Sequence, residues 1–284
     1  MMLRVDLHLH STASDGRFSP AELIRKAATE GLSVVALTDH DTVGGIDAAL
    51  EAAKSFPRLR LIPGIEISTD APKGEVHILG YFIDHKDTNF GAALEKMRNS
   101  RRERARQIVT RLKEMGRPVA WERVCEIAGG GTIGRPHIAQ ALLERGHIES
   151  FREAFEKYIS RDGPAYVERE KVTPSAAVEM VIEARGLPVL AHPLTVPEPE
   201  KMVVKLKAVG LIGLEAYYAS YTPDDVERLV AIADRHDLIA TGGTDFHGID
   251  TDADALIGGI DIPEKSLERM LALAQQSGVK LASP

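Results

Sequence analysis

The chain has 284 residues, 44% hydrophobic and 27% charged, a globular composition with enough apolar residues for one large core and an inserted subdomain. Its net charge of −7 gives no basis for sequence-independent binding to duplex DNA, no run of about 18 apolar residues reads as a membrane span, and the single Cys125 allows no internal disulfide. The lone cysteine fits a reducing compartment, and the first residues are acidic and histidine-bearing where a secretory leader is apolar, so a cytoplasmic location is expected.

Strand-like and helix-like stretches alternate from the start. Leu3–His8 reads as a strand and Pro20–Gly31 as a helix, with Pro20 near its start and Gly31 at its C′ position. Ser33–Leu37 is the next strand, Gly44–Ser55 the next helix, and Leu59–Ile67 and Glu75–Ile83 two further strands. Then the pattern changes. Asn89–Gly116 reads as one long charged helix rich in arginine, and residues 118–160 as short helices joined by Gly-rich turns. Alternation resumes with Pro174–Arg185, Leu187–Ala191, Pro197–Val209, Ile212–Tyr217, Asp224–His236 and Leu238–Gly242, and a last helix follows Pro263. Repeated strand–helix units imply a mostly parallel sheet with crossover helices, and seven or eight strands imply a barrel near the (β/α)8 type. We therefore expect an α/β barrel formed by residues 1–89 and 169–284, with 90–168 as a helical insertion covering its mouth.

The chemistry-bearing residues fall at one place in this pattern. In such barrels functional side chains gather where strands run into the following loops. Asp6-Leu7-His8-Leu9-His10 ends the first strand with two imidazoles on one face, and Asp15 follows. The second strand ends in Thr38-Asp39-His40-Asp41, the third in Gly64-Ile65-Glu66, and the fourth carries His77. Ala191-His192-Pro193 and Thr244-Asp245-Phe246-His247 close later strands, and Glu215 lies in another. Singly, each has an ordinary reading: Asp15 as a turn residue, Asp39 and Asp41 as caps, Glu215 as an orienting group. Together, six of the ten histidines with Glu66 and Asp245 would repel or desolvate one another without a cation. Imidazole and carboxylate without thiolate suit Mn²⁺, Fe²⁺ or Zn²⁺, two or three ions in all, with Glu66 as the natural bridge. His85, His147 and His236 are read as ordinary surface histidines.

As an ordered set, His8-Leu9-His10, Thr38-Asp39-His40, Gly64-Ile65-Glu66, Ala191-His192-Pro193 and Thr244-Asp245-Phe246-His247 resemble the polymerase and histidinol phosphatase (PHP) family. The resemblance spans residues 8–247. It implies a distorted (β/α)7 TIM-like barrel, a centre of two or three divalent ions, most of all Mn²⁺, and phosphoester hydrolysis. By the same resemblance His8, His10, Glu66 and Asp245 hold one ion. Asp15, His40 and His192 hold a second, with Glu66 shared, and His77 and His247 hold a third or contact phosphate. Asp15 stands where some relatives place histidine.

Ser11-Thr12-Ala13-Ser14-Asp15-Gly16, Gly134-Arg135-Pro136-His137 and Gly163-Pro164-Ala165-Tyr166-Val167 resemble the branch of nucleoside 3′,5′-bisphosphate phosphatases, some of which trim 5′-phosphorylated oligonucleotides. That implies removal of the 3′-phosphate from a bisphosphate such as pAp, leaving the nucleoside 5′-monophosphate, through a metal-bridging hydroxide. Asp245 would orient that hydroxide, and His192 or His247 would protonate the leaving oxygen. Arg135, His137, Arg169 and Lys171 are candidate phosphate contacts. Tyr217, with Tyr218, either stacks on a base or packs at the rim. The arginine cluster at 98–111, interleaved with Glu95, Glu103 and Glu114, reads as a solvated helix face. The alternatives are 5′-3′ exonuclease action on short 5′-phosphorylated RNA or DNA, histidinol-phosphatase-like activity, an amidohydrolase lacking its usual strand-ending lysine, and a non-catalytic metal-binding module. The expected partner is a small nucleotide substrate, with neither duplex DNA nor a membrane.

Overall fold

The computed structural model describes residues 3–70, 75–168, 172–248 and 256–276. Seven strands form one sheet in chain order: β1 (Val5–Leu9), β2 (Val34–Leu37), β3 (Arg60–Asp70), β4 (Glu75–Tyr81), β5 (Leu187–Leu190), β6 (Gly213–Tyr218) and β7 (Ile239–Gly243). Beyond β7 the chain returns to β1. The His10 amide donates to the Phe246 carbonyl at 3.0 Å and the Phe246 amide to the His8 carbonyl at 3.3 Å, so the sheet nearly closes into a barrel. The backbones must pass closely at this seam. A Cβ on Gly243 would lie 2.3 Å from that of His8, which is why glycine stands there.

Among the described residues ten α-helices surround or cap the sheet: α1 (Pro20–Thr29), α2 (Ile46–Ala53), α3 (Thr88–Glu114), α4 (Trp121–Ile127), α5 (Arg135–Glu144), α6 (Phe151–Ala154), α7 (Pro174–Glu183), α8 (Pro199–Lys207), α9 (Pro223–Arg235) and α10 (Glu264–Gln276). Their starts follow local chemistry. Ser19 and Glu22 form a capping box ahead of Pro20, Thr222 and Asp225 do the same ahead of Pro223, and Asp87 accepts from the Phe90 amide at the head of α3. Gly31 takes a φ of 75° just past α1, as its place in the sequence predicts. No described helix is long and apolar enough to cross a membrane.

The two faces of the sheet bury different sets. Val35, Leu37, Ile65, Ile67, Ile78 and Leu214 pack with Leu23, Ala27, Val178 and Leu229 of the outer helices. The alternate positions Val34, Ile62, Leu79, Tyr81, Val189 and Ile239 join Leu267 and Met270 of α10 on the inner face. Each fully buried aliphatic side chain contributes about 1.5–3 kcal/mol of transfer free energy. Residues 105–167 have an apolar cluster of their own around Ile108, Val124, Ile138, Leu142 and Ile159.

The sheet is not wholly parallel. β4 runs antiparallel to both β3 and β5. Only residues 71–74 separate β3 from β4 in the sequence, too few for a crossover, so the two strands pair antiparallel. The consequence is functional. The first half of β4, not its end, lies at the rim where the other strands finish, and His77 pairs there with Ser68 of β3.

Candidate metal centre

At that rim six histidines and three carboxylates converge. β1 slips register between Asp6 and Leu9, so Leu9 turns out to the helices while His8 and His10 face the centre. His8 Nε2 lies 3.3 Å from Glu66 Oε2 and 3.2 Å from Asp245 Oδ1; His10 Nε2 lies 3.3 and 2.9 Å from the same two atoms. Glu66 spends its two oxygens on two sides. Oε2 faces His8, His10 and, at 2.9 Å, His40 Nδ1, while Oε1 faces His77 at 2.7 Å and His192 at 3.0 Å. Asp15 completes the rim between His247 Nε2 at 3.4 Å and His40 Nε2 at 3.9 Å.

Three sets of donor atoms are each close enough to share one ion: His8, His10, Glu66 and Asp245; His10, Asp15, His40 and His247; and His40, Glu66 and His77. This grouping departs from the expected one. Asp15 and His40 sit with His247 rather than with His192, and His192 sits with His77 on the far oxygen of Glu66.

The donor atoms fit divalent ions by two observations. Among the described residues His8 Nε2, His10 Nε2, His40 Nδ1, Asp15 Oδ1, Glu66 Oε2 and Asp245 Oδ1 are buried and face one another with no partner in hydrogen-bonding geometry, a costly state that cation ligation relieves. Their mutual spacing also matches. Ligands about 2.0–2.1 Å from one ion lie about 2.8–3.4 Å from each other, and the contacts between His8, His10, Glu66 and Asp245 run from 2.9 to 3.3 Å. With imidazole and carboxylate donors and no thiolate, the set suits transition-metal dications.

Outer groups fix these ligands. Glu215 accepts from His8 Nδ1 at 2.9 Å and from the His192 amide at 2.7 Å, which leaves His8 Nε2 aimed at the centre. The orienting reading of Glu215 is therefore the one the geometry carries. Glu215→Gln should loosen metal binding about 10–100-fold with the fold intact; unchanged affinity in a metal titration would contradict it. Asp6 accepts from the Thr244 amide and hydroxyl at 2.9 and 2.6 Å, tying the segment after β7 that bears Asp245 to β1. Asp39 accepts from the Ser11 amide and from the Ser11 and Ser14 hydroxyls at 2.6–2.7 Å, which sets the loop bearing Asp15. His192 and Asp245 both take positive φ, 24° and 55°, a strain of about 1–3 kcal/mol each that clusters at functional sites.

Burial alone would raise the carboxyls of Asp15, Glu66 and Asp245, but the surrounding imidazoles hold all three well below the usual carboxylate range. In turn burial opposes protonation of His247, yet Asp15 and Asp245 push it up to about 10, and the same contest raises His8, His40 and His192. Protons thus compete with ions for these nitrogens at neutral pH. Metal uptake should release about one proton or more per chain and tighten as pH rises. Calorimetric titration in two buffers of different ionisation enthalpy reads this; a buffer-independent enthalpy would contradict it.

A cleft of about 120 Å³, the scale of a phosphate group, opens beside Asp15, His40 and His77 and is roofed by Arg101, Arg104, Gly134, Arg135 and Phe155. Arg135 comes from the segment the sequence singled out, and its guanidinium lies 5.8 Å over the Phe155 ring. Arg101 and Arg104 correct the reading of this helix face as solvated. Arg104 is buried and donates to the Val167 carbonyl at 2.8 Å, and Arg101 bridges Asp41 and Ser68. A signal for them was present. Phe90, Leu94, Met97, Arg101, Arg104 and Ile108 follow alternating steps of four and three, one inner stripe of a helix.

Two substrate-side expectations shift. His137 is buried; its Nδ1 accepts from the Gly134 amide at 2.9 Å at the head of α5, and its ring also meets the Ser14 backbone. It braces the Asp15 loop and lines a neighbouring space beside Asp15 and Pro136 rather than the arginine-roofed cleft. Tyr217 packs among apolar side chains, whereas Tyr218 reaches the centre, its hydroxyl donating to Asp245 Oδ2 at 2.8 Å. A register shift between Glu215 and Tyr217 reverses the alternation of β6. Arg169 and Lys171 lie outside the described residues. His85, His147 and His236 bond Asp47, the Pro118 carbonyl and Glu200, away from the centre.

A family model described as the PHP domain matches residues 6–168. The chain is 36% identical to a 5′-3′ exoribonuclease of Haemophilus influenzae, covering 87% of this chain and 91% of that protein. It is 34% identical to a 3′,5′-nucleoside bisphosphate phosphatase of Chromobacterium violaceum, covering 87% and 88%. A solved structure of a candidate metal-dependent phosphoesterase from Bifidobacterium adolescentis superposes with a TM-score of 0.87 at 31% identity over 96% of both chains.

Proposed function

Because this chain belongs to the PHP family and is a phosphoester hydrolase of that kind, we propose that it removes the 3′-phosphate from nucleoside 3′,5′-bisphosphates and leaves the nucleoside 5′-monophosphate. The observation that carries this reading is the set of buried, partnerless imidazole and carboxylate atoms opening onto a phosphate-sized cleft roofed by arginines. The name of the Chromobacterium relative supports the substrate class. We assign two or three ions, Mn²⁺ first, to the donor sets.

When bound, such ions supply a water activated at neutral pH and neutralise charge on phosphoryl oxygens. The residues do the rest. Asp245, fixed by Tyr218, orients the attacking water with its inward oxygen. His192, beside Glu66 and anchored through its amide to Glu215, or His247, delivers a proton to the leaving oxygen. Arg135 and Arg101 offset the charge that develops on the equatorial oxygens. Residues 90–168 act as the cover that carries these arginines over the barrel mouth. Beside Asp15 and Pro136 a second space of about 450 Å³, lined by Ile127, Gln140 and Phe151, suits the nucleoside. Among the described residues the cleft is lined by histidine, carboxylate and arginine side chains and by no lysine.

Phosphate release from a nucleoside 3′,5′-bisphosphate, a 5′-phosphorylated oligomer, histidinol phosphate and p-nitrophenyl phosphate, each with Mn²⁺, Mg²⁺ or Zn²⁺, tests the reading. The bisphosphate should give the highest kcat/KM with Mn²⁺. A clear preference for histidinol phosphate would overturn it.

A further inference from the structure

Asp41 stands one residue beyond His40 and takes no part in the donor sets at the centre. Its amide donates to the Glu66 carbonyl at 2.9 Å. At a φ of 53° the backbone turns here, so His40 faces Glu66 Oε2 while the Asp41 carboxylate faces Ser68 and α3. Asp41 Oδ1 accepts from the Ser68 amide at 2.8 Å, and Oδ2 accepts from Arg101 Nε. Arg101 Nη2 donates to the Ser68 hydroxyl. Exposed pairs such as Arg123–Glu144, Arg152–Glu156 and Arg269–Asp237 contribute little to stability. The side chains of Asp41 and Arg101 are 0% and 14% exposed, so removing either leaves the other buried without that counter-ion.

The pair sits at a joint in α3. Phe90, Leu94 and Met97 of this helix pack in the apolar cluster of the barrel, whereas Ala105, Ile108 and Leu112 pack in that of the insertion. Between the two stretches α3 meets Asp41 twice: Arg98 Nη1 donates to its carbonyl at 3.4 Å and Arg101 to its carboxylate. The barrel thus grips the Arg101 guanidinium by its Nε–Nη2 edge. Nη1 lies on the Gly134 side, 3.7 Å from where a Cβ on that glycine would stand, a point 3.8 Å from Asp15 Oδ2. That is the roof of the central cleft, which Arg101 lines with Asp15, His40, Ser68 and Gly134. A planar fork held along one edge presents the other in a fixed place, whereas a loose arginine loses its rotamer freedom on binding.

We propose that Asp41 is a positioning residue whose buried carboxylate seats the Arg101 guanidinium, so that the outer edge of that fork meets the phosphoryl oxygens of a substrate at the metal centre. The inference rests on the phosphoesterase reading of that centre and adds the group that preorganises its cation. Asp41 touches neither substrate nor ion and acts through Arg101 alone. The same grip fixes where the insertion stands over the mouth, because the helix that carries Arg101 enters the insertion's apolar cluster at Ala105.

Chemical rescue tests this. In metal-loaded Arg101→Ala protein, affinity for inorganic phosphate should fall about 10- to 100-fold, and kcat/KM for p-nitrophenyl phosphate with it. Free guanidinium at millimolar, non-denaturing concentration should restore about 10-fold of that phosphate affinity, because the Asp41 carboxylate still lines the vacated place. In the R101A/D41N double variant it should restore nothing. Asp41→Asn alone should weaken phosphate binding about 10-fold with metal content per chain unchanged, and should add no further loss to Arg101→Ala. Guanidinium-dependent phosphate binding supports the clamp even in a chain that cleaves no nucleoside bisphosphate, where only the substrate reading fails. Equal rescue with and without Asp41, additive losses in the double variant, or metal loss in Asp41→Asn would overturn the proposal. If Asp41→Asn does not fold, Arg101→Lys takes its place: the ammonium still pairs with Asp41 but presents no fork to the cleft, so phosphate affinity should match Arg101→Ala within about twofold. Wild-type phosphate affinity in Arg101→Lys would overturn the proposal.

Discussion

Asp245→Asn and His10→Ala should each cut turnover about 10³-fold or more, roughly 4 kcal/mol of transition-state stabilisation, while thermal unfolding of the metal-free protein stays cooperative. Both side chains put a buried atom without a hydrogen-bond partner into the same donor set, His10 Nε2 and Asp245 Oδ1 2.9 Å apart. Removing either leaves its partner atoms buried with one fewer ligand for a shared cation. Asp245 carries a second role in the proposed mechanism, since Tyr218 fixes its other oxygen. The asparagine variant keeps the shape and loses the charge, so it separates charge from packing. Steady-state phosphate release together with metal content per chain reads both effects. Wild-type turnover in metal-loaded His10→Ala protein would contradict the assignment of this donor set.

Arg135→Ala should lower kcat/KM for a nucleoside 3′,5′-bisphosphate about 10- to 100-fold and leave p-nitrophenyl phosphate within about twofold. A charge-assisted bond to phosphate is worth about 1.5–3 kcal/mol. Arg135 stands on the roof of the phosphate-sized cleft, supported by the Phe155 ring, where a second phosphate but not an aryl group gains from it. Equal losses on the two substrates would mean that the substitution disturbs α5 and the loop it meets rather than a phosphate contact. Arg135→Lys separates the two: it keeps charge but loses the planar fork, so it should recover only part of the bisphosphate rate.

Much of the barrel is legible from residue order because local rules and burial agree in it. Capping residues, Pro20, Pro223 and Gly31 mark helix ends within one or two residues of where they fall. The centre's residues are legible for a different reason: histidines at strand ends make poor core, so six histidines at or near strand ends in one chain demand a shared explanation. Chain reversal at β4 is less legible. An apolar run such as Glu75–Ile83 has no direction, and only the shortness of the 71–74 link decides it. Tyr218 escapes for a related cause, since a single register slip in β6 exchanges it with Tyr217 and nothing in the sequence marks the slip. Arg101 and Arg104 were hidden by charge. Their position on the apolar stripe of α3 outweighs the habit of placing arginine in solvent, because the stripe ends over a site that needs cations.

The most direct test of the account is metal content measured together with phosphate release on the same preparation. The purified chain is stripped with chelator, titrated with Mn²⁺, and assayed on a nucleoside 3′,5′-bisphosphate at each step. Two or three ions per chain are expected, with no turnover without them and recovery that tracks occupancy of the site built by His8, His10, Glu66 and Asp245. Full turnover by the stripped protein, or saturation with Mn²⁺ without hydrolysis of any phosphoester, would contradict it.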